Sequence, residues 1–233
     1  MPNSIPDNPS SPFDGLQQNM EDVGRLLEIH VVLTGTSPGR RYKVAVLNKS
    51  GVVLITACWE AFIEDTVITA FDFIKDNISS HKKLPRELRK IVANHLKKDD
   101  KHELNVWNLA GEKWKDTAAE ILKKPVDWFN TPTSDKIDKL FDKVLALKGV
   151  SERWFWPRMS KEKAKARLDD YVNRRHDIAH RSRTDKVVSK PVVKAYTAHI
   201  HRLAVITSNT TRDYVYGITQ RHPWHEAQYQ TTE

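Results

Sequence analysis

The segment Tyr171-Val-Asn-Arg-Arg-His-Asp-Ile-Ala-His180 gathers the residue types best suited to phosphate chemistry. A guanidinium is permanently charged and offers a planar fork of donors to phosphoryl oxygens. An imidazole is the side chain whose ordinary titration falls near neutrality, which suits a general acid or base. Placed on a helix, Leu168, Tyr171, Val172, Ile178 and Ala179 make an inward stripe, and Arg175 falls inside it. An unpartnered guanidinium in an apolar face costs on the order of several kcal/mol. Arg175 must therefore pair with acids on another helix, tie two helices together, or line a cleft open to an anion. Glu60, Glu64 and Asp65 are the candidate acids. His180 lies five residues on, ~140° around a helix, so the two groups flank one edge and can reach one phosphate. A helix C-terminus favours imidazolium, while Arg181 and Arg183 oppose it, so these influences offset one another.

Other constellations are weaker. His176 and His180 share a helix face at i, i+4, a known metal-ligand spacing. Asp177 follows His176 directly, however, and no HExxH glutamate is near, so no metal site is expected. His199 and His201 do not share a face. Cys58 lies in an apolar stripe and reads as packing. Trp154, Phe155 and Trp156, beside Arg153 and Arg158, suit base stacking or, equally, a core or a dimer seam. No P-loop, GxGxxG or zinc-knuckle spacing occurs.

The elements that must position Arg175 and His180 read as helices throughout. Residues 1–13 hold four of the eleven prolines and are expected to form a disordered leader. Leu16, Met20, Val23, Leu26, Leu27 and Val31 recur at helical spacing, predicting a first helix to Thr34. Arg41 to about Ile78 predicts a long spine helix, apolar on more than one side. Shorter helices are expected over 85–99, 103–122 and 134–147, punctuated by Pro125, Pro132 and Gly149. This region, 79–150, reads as an insertion packed on the spine within one domain, 14–217. Two further helices are predicted, from Met159 to Arg181 with Ser160 as N-cap, and from Lys190 to Gly217. The remainder, 218–233, is expected to be a poorly ordered tail. The fold class is all-α.

Composition limits the partners. The chain has 233 residues, 39% of them hydrophobic, enough for a real core. One cysteine allows no intrachain disulfide and fits a reducing compartment. The first residues lack a signal-peptide pattern, and charges interrupt the most apolar stretch, so a cytoplasmic protein with no membrane span is expected. Net charge is +8. Residues 150–190 hold twelve bases and six acids, whereas 1–35 hold one base and five acids. A basic patch of that size suits RNA or DNA, though a solvated lysine-rich surface accounts for it as well.

Arg175-His-Asp-Ile-Ala-His180 resembles the Rx4–6H motif of the HEPN superfamily, with His176 as the polar residue after the arginine. Leu47 to Asp65, carrying Trp59-Glu-Ala-Phe-Ile-Glu-Asp65, is similar to the long helix of the RiboL-PSP-type branch. Phe129 to Phe141 reads like the connecting region of those proteins. The resemblance implies a four- to five-helix bundle with a helical insertion, forming a homodimer whose two Arg–His motifs face one another across a basic cleft. It implies metal-independent RNA cleavage without a cofactor. In it Arg175, His180 and His176 are catalytic, Glu60, Glu64, Asp65 and Asp177 supporting, and Arg174, Arg181 and Arg183 hold RNA. Arg181 directly follows the histidine, so the family's tyrosine-dependent variants of the chemistry are not supported. A role in toxin or anti-phage defence, with an antitoxin or defence-system partner, rests on the resemblance alone. A non-catalytic module binding RNA or a protein through the same face is the alternative.

Overall fold

A computed structural model describes residues 11–35, 45–97, 103–181 and 187–229. Among them are seven α-helices and no strand: α1 Pro12–Thr34, α2 Ala45–Asn77, α3 Arg86–Lys97, α4 Trp114–Asp127, α5 Ser134–Leu145, α6 Lys161–Arg181 and α7 Lys190–Thr219. Helices α1, α2, α6 and α7 form a four-helix body; α4 and α5 pack on it through α2, and α3 packs on α4 and α5. This is the all-α bundle with a helical insertion that the sequence predicts.

Helix α2 is the axis because it is apolar on several sides. Val52, Ile55, Trp59, Phe62, Ile63, Val67, Phe71 and Ile74 are all essentially inaccessible to solvent. Its 33 residues make a rod ~50 Å long, long enough to carry both the body and the insertion. Gly51 lets α7 approach closely, since a Cβ there would lie 3.0 Å from Val193 Cγ1. Thr56 Oγ1 donates to Val52 O at 2.9 Å, so the Tyr196 hydroxyl on α7 donates to Thr56 Oγ1, also at 2.9 Å. Trp59 Nε1 donates to Pro132 O and packs edge-on against Trp154. Trp154 is therefore core, donating to Thr207 Oγ1 at 2.9 Å, while Phe155 is exposed.

Several boundaries differ from the sequence expectation. Helix α1 begins at Pro12 because Ser11 and Asp14 form a capping box, and Phe13 is buried, so Ser11–Phe13 belong to the fold and not to a leader. Residues 1–10 lie outside the described set. Residues 103–113 form two 3-10 turns, and α4 starts only at Trp114. Pro125 sits inside α4, near its end, where few backbone bonds are lost to it. The described residues after α7, 220–229, are packed, not loose: Trp224 and Ala227 are buried, and Asn209 exchanges two hydrogen bonds with the Ala227 backbone at 2.8 and 2.9 Å.

Two aspartates fasten the insertion to the body. Asp169 on α6 accepts from Ser134 N and Ser134 Oγ, both at 2.8 Å, capping α5 from another helix. Asp138 on α5 does the same for Ser151, which lies in the turn Val150–Arg153 ahead of α6. Each carboxylate satisfies an amide left over at a helix start.

Candidate nucleic-acid site at the end of α6

Helix α6 presents Leu168, Tyr171 and Val172 to the core and carries Arg175 one turn further. Arg175 is half-buried. Its Nε is enclosed and has no hydrogen-bond partner. Behind it, Tyr171 stacks on Tyr196 with ring centroids 4.1 Å apart. Burial pushes the Tyr196 phenol well above its ordinary range, while the bond to Thr56 and the charge of Arg175 act against that shift. The guanidinium thus sits close enough to the buried phenol to influence it. In the sequence Tyr196 belongs to the α7 core stripe and gives no sign of this proximity, which links positions 21 residues apart.

The acids expected to neutralise Arg175 do not do so. Glu60 accepts from Thr131 N at 3.1 Å and holds the loop before α5. Burial raises the Glu64 carboxyl above its usual value, with Glu60 and Asp65 adding to the rise. A cation beside Glu64 would have pulled the other way. Asp65 is exposed. Among the described residues none of the three forms an ion pair. Helix geometry explains the difference: Ile178 on α6 lies with Lys49, Ser50, Val53 and Leu54, and Glu60 is six residues, ~9 Å, further along α2 than Leu54. Asp177 is half-buried, but two residues from Arg175 it points ~200° away around the helix.

Past Arg175, His176 and His180 are both exposed, and their rings touch with centroids 4.4 Å apart. The i, i+4 spacing thus makes a pair of imidazoles at the helix end. No group of three His, Cys, Asp or Glu side chains among the described residues could hold a metal ion. Arg174 is already engaged: its Nη2 lies 2.8 Å from Asp170 and its guanidinium 5.6 Å from the Tyr171 ring centroid. Contact with a phosphate would have to compete with Asp170. Arg181 ends the helix, and Arg183 lies outside the described residues.

Beside this helix end is an open apolar groove of about 510 Å³, lined by Val46, Val53, Leu54, Ala57 and Ile178 together with Lys49 and Ser50. Val46 is 63% exposed, and Ile29, Val32 and Leu33 in the last turns of α1 are also exposed. No described helix is long and apolar enough to cross a membrane.

An all-helical body with an Arg–His pair at the end of its penultimate helix defines the class, and comparison with known families agrees. The family model for RiboL-PSP-HEPN matches residues 21–211. The chain belongs to this family, a branch of the HEPN superfamily. The match runs from within α1 to within α7 and includes the insertion and the Arg175–His180 motif. No curated protein and no solved structure matches the chain.

Proposed function

We propose that the protein is an endoribonuclease that cleaves RNA at the α6 end, through attack of a ribose 2′-hydroxyl on the adjacent phosphorus. One observation carries the reading. A guanidinium whose Nε is enclosed and unbonded sits on the same helix end as two touching, exposed imidazoles. An unpaired buried donor is costly to keep, and an anion arriving beside it removes the cost. Family membership supports an RNA-directed role.

In the proposed step His180 accepts the 2′-hydroxyl proton as the 2′-oxygen bonds to phosphorus. The bond from phosphorus to the 5′-oxygen breaks, and His176 in its charged form donates a proton to that leaving oxygen. Arg175 stabilises the charge that grows on the phosphoryl oxygens. The products are a 2′,3′-cyclic phosphate and a 5′-hydroxyl, and no metal ion takes part. DNA lacks the nucleophile and resists. The exposed apolar groove beside the site supports a homodimer in which this end of the body is covered by a second copy. A place in toxin or defence biology, with a partner of that kind, is the corresponding biological reading.

The purified protein should cut single-stranded RNA in EDTA, and Arg175→Ala and His180→Ala should each slow cutting by about 10²-fold or more while remaining folded. Loss of wild-type activity on chelation would sink the mechanism. RNA binding without cleavage would assign the site to recognition only.

A further inference from the structure

A second surface, outside the α6 end, has the chemistry of a strand-binding groove. It is an open groove of about 700 Å³ formed by α3, α4, α5 and the loop between the last two. Its floor is apolar, with Ile121, Leu122 and Leu140 buried. Its rim is cationic, with Lys124 from α4 and Lys136, Lys139 and Lys143 from α5, and no acid lines it. Lys136, Lys139 and Lys143 fall at i, i+3 and i+7, one face of α5, while Ile137, Phe141 and Val144 face the core. Glu120 and Asp135 offset two of the four charges, pairing with Lys124 and Lys139. Lys136 bonds to neutral Asn130, and Lys143 is exposed. At the mouth stands Trp128, 84% exposed.

A row of lysines disfavours a protein partner, because interface cores are depleted of lysine even though tryptophan is common there. An indole held in water beside those lysines suits a single strand, where an aromatic face stacks on an unpaired base and ammonium groups meet the backbone. The groove is also tied to the α6 end. The loop that carries Trp128 is bonded to Glu60 through Thr131, and α5 is capped by Asp169. Asp169 precedes Arg175 by six residues, ~9 Å of helix rise.

We propose that this groove is an RNA-binding surface distinct from the cleavage site, gripping the single strand that flanks the cut phosphate. Trp128 stacks on a base, and Lys136 and Lys143 contact phosphates. The inference rests on the ribonuclease reading for its choice of RNA.

The test uses the full chain and a fluorescent 2′-O-methyl 15-mer, which binds but lacks the nucleophile. Trp128→Ala should weaken binding about 5- to 150-fold. Lys136→Ala with Lys143→Ala should reduce the slope of log affinity against log salt by about 1.4, at ~0.7 for each phosphate that is no longer neutralised. All three side chains are solvent-facing, and thermal melting checks that the variants fold. Unchanged affinity and slope, in a protein that cuts RNA and loses cutting with Arg175→Ala, would overturn the groove and leave the nuclease reading intact. Weakened binding by the variants, alongside a wild-type protein that binds but never cuts, would uphold the groove and remove the nuclease reading. Displacement of the 15-mer by polyglutamate that binds equally well to Trp128→Ala would assign the groove to an acidic protein segment and overturn the proposal.

Discussion

The two halves of α6 carry similar charge and use it in opposite ways. In the first half the polar groups that meet other elements are matched. Lys161 and Lys165 both pair with Glu152, Asp169 caps Ser134, and the Ala164 carbonyl accepts from His199 Nε2. In the last two turns Arg175 Nε is enclosed and unbonded, and His176 and His180 face solvent beside one another. Matched polar groups on this helix build the fold, while unmatched ones stand where an outside anion can complete them. The difference is one of partners, since both halves are basic.

The strongest way to break this contrast is to remove the side chains of the unmatched end. Arg175→Ala should lower RNA cleavage about 10²- to 10³-fold, and His180→Ala about 10²- to 10⁴-fold, with melting temperatures close to wild type. Equal cleavage by either variant would leave the unmatched end without a purpose.

The matched half should instead answer in stability, first through pH. Burial lowers the His199 pKa to about 4, with the Ala164 bond acting against the shift and Arg167 adding to it. The ring is neutral when folded and gains a proton more readily when unfolded. Between pH 6.5 and 4 the unfolded chain therefore binds the extra proton, and stability falls as pH falls, by about 3 kcal/mol across that window. Chemical denaturation at pH 7 and pH 4.5 measures it, and His199→Gln should flatten the difference. A wild-type profile with no slope from His199 would show that the ring has room to charge.

Asp169→Ala leaves Ser134 N without its cap and should cost about 1–2 kcal/mol, with cleavage per folded molecule unchanged. The smallest effect is expected from Lys165→Ala. Its partner Glu152 lies at the surface and keeps Lys161, so neither melting temperature nor cleavage should move measurably. Any loss of cleavage there would blur the boundary drawn between the two halves.

Much of this architecture can be read from residue order. The apolar density of α2 and the stripes of α6 and α7 are local patterns, and a helix expresses them wherever it packs. Arg175 stands out for the same reason, as a charge inside an apolar stripe. The features that residue order hides depend on distant contacts. The acids of α2 resemble partners for Arg175 because sequence does not fix the register of two packed helices. Tyr196 becomes a neighbour of Arg175 through that register. The stretch 218–233 reads as a tail because its polar residues conceal the two Asn209 bonds that hold Ala227. Trp128 carries no signal in the sequence, since its exposure, not its identity, is what marks it.

The cap that Asp169 supplies to α5 has a dynamic corollary. Its carboxylate belongs to one helix and its acceptor duty to another, so neither α5 nor α6 can fray alone at that point without stranding a buried amide or a carboxylate. Amide hydrogen exchange in the first turn of α5 should therefore keep pace with the middle of α6, as one cooperative unit. Any motion of α6 that accompanies the proposed RNA cleavage would then carry the insertion with it.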